Sequence, residues 1–464
     1  MVFSSITFLL YFLPLTLLAY FAARRTRTRN IILLLASLFF YAWGEPLYVI
    51  LMLLSISGNY FMVRFMGEAR SGGRSIRGHL VFAVAWNLSI LFFFKYANMM
   101  IGLVNSLTGL GLGELKLSLP IGISFYTFQA LSYVIDVYRG QARPQKSLLS
   151  FGLYISMFPQ LIAGPIVKYG DIEKSLNKRK VTLGAFGKGA EYFIFGLVKK
   201  VLIANHVGAF FTQISAAPAH SRSLLLVWLG ALCYTFQIYF DFSGYSDMAI
   251  GLGYMLGFRF PVNFRHPYIA SSVTEFWRRW HISLSSWFRD YVYIPLGGNR
   301  VSPLRHIRNI FIVWGLTGLW HGASLNFVIW GLYYAFWLIL EKYLLADYLK
   351  RHRGFGHVMT GFVFLIGWVI FAFTDLGQLG QYLGQMIGIG TAGLIGEGGL
   401  YQLLSLFLIL GIAALASTPI IHRLYRLLRE KLPAIAFVLL LLAALISLAY
   451  LVYQSYNPFL YFRF

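Results

Sequence analysis

The sequence predicts an all-α polytopic membrane protein, with about ten transmembrane helices plus re-entrant and interfacial helices. Three observations carry that prediction. Of the 464 residues, 58% are hydrophobic and 12% are charged, whereas soluble domains carry roughly 25% charged residues. Apolar runs near or above the roughly 20 residues needed to cross a bilayer recur along the chain. These runs are continuous, not alternating in roughly ten-residue units, which excludes a membrane β-barrel. The formal net charge of +23 would suggest nucleic acid in a soluble protein. Here the Lys and Arg gather in short loops between apolar runs, as cytoplasmic loops do. The partner implied is therefore the lipid bilayer, with no nucleic acid.

The elements follow from the loops. Residues 1–22 are apolar but lack a basic start, and Arg24, Arg25, Arg27 and Arg29 come after them. They are expected to be a retained first span with an outer N-terminus, not a cleaved signal. The run 31–64 is broken by Gly44-Glu45-Pro46 and is expected as two helices joined by a tight turn. Residues 79–98 and 119–138 then go out and back. The apolar stretch 148–167 has basic loops on both sides and two prolines, Pro159 and Pro165, which predicts a re-entrant segment enclosed by protein. Runs around 189–215 and 223–257 give another out-and-back pair, with Lys199 and Lys200 expected at an interfacial start.

Residues 258–308 form the one extended polar region, rich in Arg and expected on the cytoplasmic side. The apolar run 309–341 is again basic at both ends, so it is expected to enter and return from one side. Spans near 357–375, 401–420 and 434–455 complete about ten crossings plus two re-entrant elements, with both termini outside. No internal repeat is evident, and residues 1–464 are expected to form one integral-membrane domain. Cys233 is the sole cysteine, so an intrachain disulfide framework is excluded.

The densest polar cluster is SSVTEFWRRWHISLSSWFRDYVYIPLGGNR, Ser271 to Arg300. Trp277, Trp280, Leu284, Trp287 and Phe288 recur at helical spacing and give one apolar face. Two readings stand. In one, an interfacial helix turns its Arg residues to anionic headgroups. In the other, His281 faces inward to act on a substrate, while Arg278, Arg279 and Arg289 grip phosphate, a task suited to the guanidinium fork. Asp241 and Asp247, in YFDFSGYSDMAIGLG, lie six positions apart and share no helix face well. They are expected to pair with Arg residues of the polar region rather than to do acid–base chemistry.

His321 lies in TGLWHGASLNFVIWG, about a dozen residues into the run 309–341. At about 1.5 Å per helical residue this is roughly 18 Å, near mid-bilayer. Either it is a buried neutral imidazole bonded to a carbonyl, or it is a general base, the role His fills near neutral pH. No metal motif is present: there is no HExxH and no thiolate pair. Serine-hydrolase elbows are missing, and Gly251-Leu252-Gly253 lacks a dinucleotide-loop setting.

The segments LPIGISFYTFQALSYVIDVYRG (119–140), FPQLIAGPI (158–166), YFDFSGYSDMAIGLGYMLGFRFPVNFRHPY (239–268), FWRRWHISLSSWFRDYVYIPLGGNR (276–300) and LTGLWHGASLNFVIWG (316–331), with the N-terminal MVFSSITFLLYFLPLTLLAY, resemble the membrane-bound O-acyltransferase family. The resemblance runs in order through residues 1–345, with the motif-bearing core at about 119–345. It is nearest to the branch whose members acetylate alginate, peptidoglycan and cellulose. The resemblance implies a helical fold hollowed by a path across the membrane, with His321 in the family's WHG position and His281 at its second polar position. It also implies a multi-pass protein of the bacterial inner membrane.

On that implication the donor is acetyl-CoA from the cytosol, held by Arg278, Arg279, Arg289, Trp280, Trp320 and Asn326, with no metal or prosthetic group. The acceptor is a hydroxyl on the outer side, served by a periplasmic or membrane-anchored acetyltransferase partner that modifies an exported polymer, alginate first among them. Peptidoglycan or cellulose acetylation, D-alanyl transfer to teichoic acid, and a non-catalytic transporter of an acylated carrier are the alternatives.

Overall fold

The computed structural model describes residues 1–115, 117–396, 398–454 and 456–460. Every regular element among the described residues is helical. Eight helices are long and apolar enough to cross a membrane, and Phe8–Ala22 adds a shorter apolar one. The protein is thus an all-α, multi-pass membrane protein. Two other expected crossings take different forms. One is the helix Thr26–Gly44, whose first turns carry Arg27 and Arg29; the other is the 16-residue helix Ile123–Tyr138. The chain divides into two compact units, residues 1–193 with 246–261, and residues 194–245 with 262–464.

The first unit holds α1 (Leu13–Ala22), α2 (Thr26–Gly44), α3 (Tyr48–Ser71), α4 (Arg77–Thr108), α5 (Ile123–Tyr138), α6 (Leu148–Ser156), α7 (Phe158–Leu161), α8 (Tyr169–Asn177) and most of α9 (Leu183–Val198). The turn expected at Gly44-Glu45-Pro46 separates α2 from α3. The stretch 148–167 is broken at Met157, between α6 and α7, and every residue from Ser150 to Val167 is buried. Ser37 of α2 supports the break, its Oγ accepting from the Phe158 N–H at 3.0 Å. Two buried polar clusters here are paired across helices. Asn59 and Asn87 exchange amide hydrogen bonds of 3.0 and 2.7 Å between α3 and α4. Arg179 donates to Tyr20 Oη and Asn30 Oδ1 at 2.8 and 2.6 Å, and stacks over Phe258.

The second unit begins with the end of α9, a π-helical turn Lys199–Ala204, and α10 (Asn205–Ala216), which together continue one helical run from Leu183. Lys199 and Lys200 therefore do not start an interfacial helix. Lys200 is 3% exposed and forms a 2.6 Å ion pair with Asp241 of α11 (Leu224–Leu256). This also corrects the partner expected for Asp241. Its second oxygen accepts from the Leu460 N–H at 2.8 Å, so both acceptor atoms are used without an Arg.

The polar cluster forms α12 (Val273–Arg279) and α13 (Ile282–Phe288), the latter running on into a π-helical turn Arg289–Tyr293, and no single amphipathic helix. The break falls at Trp280-His281, where His281 takes a left-handed conformation (φ 42°, ψ 54°). Trp277, Trp280, Leu284, Trp287 and Phe288 are all buried, so their stripe faces protein, not lipid headgroups. Ser272 caps α12, and the buried Glu341 carboxylate accepts from the N–H groups of Val273 and Thr274, satisfying donors that a helix start leaves open.

The run 309–341 is a helical hairpin of α14 (Pro303–His321) and α15 (Leu325–Leu340). Gly318 and Gly331 set how close its arms approach. A Cβ on Gly318 would lie 2.2 Å from the Phe327 carbonyl oxygen, and one on Gly331 would lie 2.3 Å from that of Trp314. Small residues at such crossings let helix backbones approach closely. The open end is joined by His306, whose ring nitrogens lie 2.8 Å from Tyr343 Oη and 2.9 Å from Tyr293 Oη. The remaining helices are α16 (Ala346–Arg351), α17 (Arg353–Ala372), α18 (Leu376–Met386), α19 (Gly399–Ala416), α20 (Ile420–Lys431) and α21 (Pro433–Tyr453).

Candidate active site

His321 is the last residue of α14, at the tip of the hairpin, and is 6% exposed. Its imidazole is enclosed by aromatic rings. Trp320, Trp330 and Phe371 lie 5.0, 5.0 and 5.1 Å from it, centroid to centroid, at interplanar angles of 79°, 80° and 83°. Edge-to-face packing of this kind fixes the ring plane. The C-terminal end of a helix also favours positive charge, through its open carbonyls.

Asn326 supports this enclosure from behind. It is fully buried, and its amide donates to the carbonyls of Ile370 and Phe371 at 3.2 and 3.3 Å. Ser324, in the hairpin turn, donates to the Thr374 carbonyl at 3.3 Å. The hairpin tip and the end of α17 are thus tied together around His321.

His281 is 1% exposed and packs against Phe242 at 4.7 Å and Trp320 at 6.0 Å. Trp320 therefore stands between the two histidines. Asn263 Oδ1 lies 3.1 Å from His281 Nδ1. The same oxygen accepts from the Ser283 backbone N–H at 3.2 Å and from Ser283 Oγ at 2.9 Å. A backbone N–H can only donate, so this atom is the acceptor and Nδ1 of a neutral His281 carries the proton. Nε2 is then left with a lone pair. The residue lies in the segment between α11 and α14, outside the candidate crossings, and burial lowers its pKa to about 3. His281 is neutral near pH 7.

The other expected positions divide. Trp280 is buried in an aromatic group that reaches His321 through Trp368 and Trp330, with Trp280–Trp368 at 4.5 Å and Trp330–Trp368 at 6.3 Å. Arg278 is exposed. Arg279 is held by Glu275 at 2.7 Å and donates to the Arg265 carbonyl. Burial would raise the pKa of Glu275, but hydrogen bonds from Ser271 and Arg279 outweigh that and hold it below the usual value. Arg289 is exposed beside Asp290, 2.7 Å away. The two histidines, Trp280, Trp320 and Asn326 thus belong to one aromatic surround, and the three Arg side chains stand apart from it.

Sequence reasoning passed over Trp330, Trp368, Phe371 and Asn263. Trp368 and Phe371 sit in a run indistinguishable from any other apolar span. Asn263 carried a faint signal, as an amide between Val262 and Phe264.

A family model described as the membrane-bound O-acyltransferase family matches residues 139–376, a stretch containing every residue of this site. A probable alginate O-acetylase of Pseudomonas aeruginosa is 44% identical over 396 residues, 84% of this chain and 76% of the relative. This chain belongs to the membrane-bound O-acyltransferase family. The expected resemblance is confirmed, and the protein is an O-acyltransferase that uses an acyl donor. Two further relatives mark the breadth of this membrane-bound O-acyltransferase group. A peptidoglycan O-acetyltransferase of Helicobacter pylori is 34% identical, covering 85% of this chain and 81% of its own. A teichoic acid D-alanyltransferase of Bacillus subtilis is 32% identical over 46% of this chain and 57% of its own.

Proposed function

We propose that this chain is a single integral-membrane acyltransferase domain of a bacterial inner membrane. It moves an acetyl group from cytosolic acetyl-CoA to a hydroxyl acceptor on the outer side, for O-acetylation of an exported polysaccharide. Alginate is the polymer favoured, because relatives named for alginate acetylation are 44% identical across most of the chain. The relatives named for peptidoglycan acetylation and teichoic acid D-alanylation are more distant. A periplasmic or membrane-anchored acetyltransferase partner then modifies the polymer.

The observation that carries the reading is His321 itself. It is a buried imidazole at the tip of a hairpin whose two arms are basic at their far ends, set in a ring of aromatic edges. A polar group at such depth is costly unless it has work to do. In the proposed reaction, His321 takes the proton of the acceptor hydroxyl. The oxygen attacks the thioester carbonyl, and the tetrahedral adduct collapses to the ester. The C–S bond breaks, and the departing thiolate recovers the proton from the imidazolium. Such proton transfer contributes about 10²–10⁴ in rate, and the end of α14 favours the imidazolium formed midway.

His281 is proposed to orient a reactant. With Nδ1 committed to Asn263, its Nε2 can accept a hydrogen bond from a reactant but cannot supply the N–H that an oxyanion would need. Arg278 and Arg289, exposed near the polar segment, suit the donor's phosphates. Trp280 and Trp320 would wall the donor's path, and Asn326 acts through Phe371.

The test is O-acetyl ester content of exported polymers in cells lacking the gene, complemented with wild type or His321→Ala at matched membrane levels. Wild type restores the esters and the variant does not. Equal restoration would remove His321 from the chemistry and advance the transporter reading.

A further inference from the structure

The second unit contains a cavity of about 710 Å³, lined in part by Thr212, Arg222, Gln237, Phe373, Gln378 and Gln381. It lies at the ends of α10 and α17, opposite the basic ends of those runs, and so on the face where the acceptor is expected. Its wall includes Ala372, Phe373 and Thr374, continuous with the Phe371 that encloses His321. The volume is within the roughly 300–1,000 Å³ of ligand sites.

The lining is unusual for a membrane protein. It is rich in amides and hydroxyls, which carry both donors and acceptors, interleaved with the rings of Phe211, Tyr234, Phe373 and Tyr456. No carboxylate side chain is among its lining residues, and Arg222 is its one cation. The Arg222 guanidinium is held by the carbonyls of Ser215 and Ala217 and by Gln385 Oε1. Among the described residues it has no carboxylate within ion-pair reach. Gln237 is 3% exposed, and its Oε1 has no hydrogen-bond partner among the described residues. Its amide group lies where a side chain on residue 208 would stand, 2.3 Å from the Cβ position of Gly208. That oxygen is closed off inside the fold, so the groups that can meet a ligand are the hydroxyls and amides of Thr212, Gln378 and Gln381, which suit a ligand rich in hydroxyls.

We propose that this cavity binds a segment of an acidic polysaccharide, a chain of uronate residues. Ring faces pack on its aromatics, hydroxyls meet the exposed rim amides of Gln378 and Gln381, and a carboxylate is drawn to Arg222. The polymer itself then engages this chain beside the acyl-transfer centre, in addition to any partner protein. The inference rests on the proposed O-acetyl transfer for its meaning, but the binding does not require the reaction.

The test uses full-length purified protein in detergent, titrated calorimetrically with a short β-1,4-linked oligouronate and with the same oligosaccharide after reduction of its carboxylates to alcohols. The acidic form binds, and the reduced form binds at least about tenfold more weakly. Gln378→Ala with Gln381→Ala, both exposed and safe for folding, weakens binding of the acidic form by about tenfold. His321→Ala leaves it unchanged, so a failure of the catalytic reading appears in the ester assay and not here. Equal binding of the two sugars, indifference to the rim variants, or binding only of a partner protein's hydroxyl-bearing loop would each overturn the proposal.

Discussion

Asn263 holds His281 by one side-chain oxygen, 3.1 Å from Nδ1, and so decides which imidazole nitrogen carries the proton; in the proposed reaction the other nitrogen meets a reactant. Asn263→Ala should therefore lower kcat by about tenfold or more with little change in KM, since loss of orientation acts on the reacting geometry. Asn263→Asp should keep the orientation but place a negative charge beside the ring, raising the His281 pKa. An acidic limb would then appear in the pH–rate profile closer to neutrality than in wild type. A purely structural Asn263 would give low protein levels in both variants and no shift of the profile.

Stability should depend on pH through the same ring. Burial lowers the folded pKa of His281 to about 3 from an ordinary value of 6.5. Below pH about 6.5 the unfolded chain takes up a proton that the folded chain refuses, so the unfolded state gains as pH falls. The contribution is complete above 6.5 and is lost progressively toward 3. Thermal unfolding midpoints measured from neutral pH down to about pH 5 should fall more steeply for wild type than for His281→Asn. Parallel curves would show that His281 does not stay neutral in the fold.

Arg278 and Arg289 are exposed, whereas Arg279 is engaged by Glu275. Arg278→Ala and Arg289→Ala should raise KM for acetyl-CoA several-fold at low salt, leave kcat near wild type, and converge on wild type as ionic strength rises. Arg279→Ala should instead lower thermal stability by about 1 kcal/mol or less without the salt-dependent rise in KM, because Glu275 loses one donor but keeps those of Ser271. Steady-state kinetics at two salt concentrations separate these outcomes.

Lys200 and Asp241 are each 3% exposed. Removing one partner leaves a buried charge, which costs about 3–5 kcal/mol. Lys200→Ala and Asp241→Ala should each abolish stable expression. Lys200→Met with Asp241→Leu should recover much of it, since an apolar pair of similar volume is often neutral or stabilising. Detergent-resistant monomer on fluorescence size exclusion is the readout.

Much of this architecture was legible before any coordinates. The breaks at Gly44-Glu45-Pro46 and near Pro159 were visible because Pro and Gly act locally. The reversal within 309–341 was expected from the basic residues at its two ends, but its second arm runs on to Arg351 and is long and apolar enough to cross a membrane. The identity of Lys200 as the partner of Asp241 was not legible: they are 41 positions apart, and a Lys-Lys pair reads as a surface feature. The split of the polar region into α12 and α13 was equally hidden. Helical spacing continues through Trp280-His281, and only the tertiary bonds that the N–H groups of Ile282 and Ser283 donate to Asn263 reveal that the helix stops. For the site, the histidines stood out as polar residues among apolar ones. Their aromatic surround did not, because Trp368 and Phe371 look like any residues of a span.

That surround has an optical consequence. The chain contains eleven tryptophans, and five of them, Trp277, Trp280, Trp314, Trp330 and Trp368, form one ring-to-ring group with centroid spacings of 4.5 to 6.4 Å. Trp320 joins them through His321. Indoles this close share excitation, so the protein's own ultraviolet emission is weighted toward the surroundings of His321. Binding of the proposed acyl donor beside His321 should therefore change that emission, read from the native protein without a label.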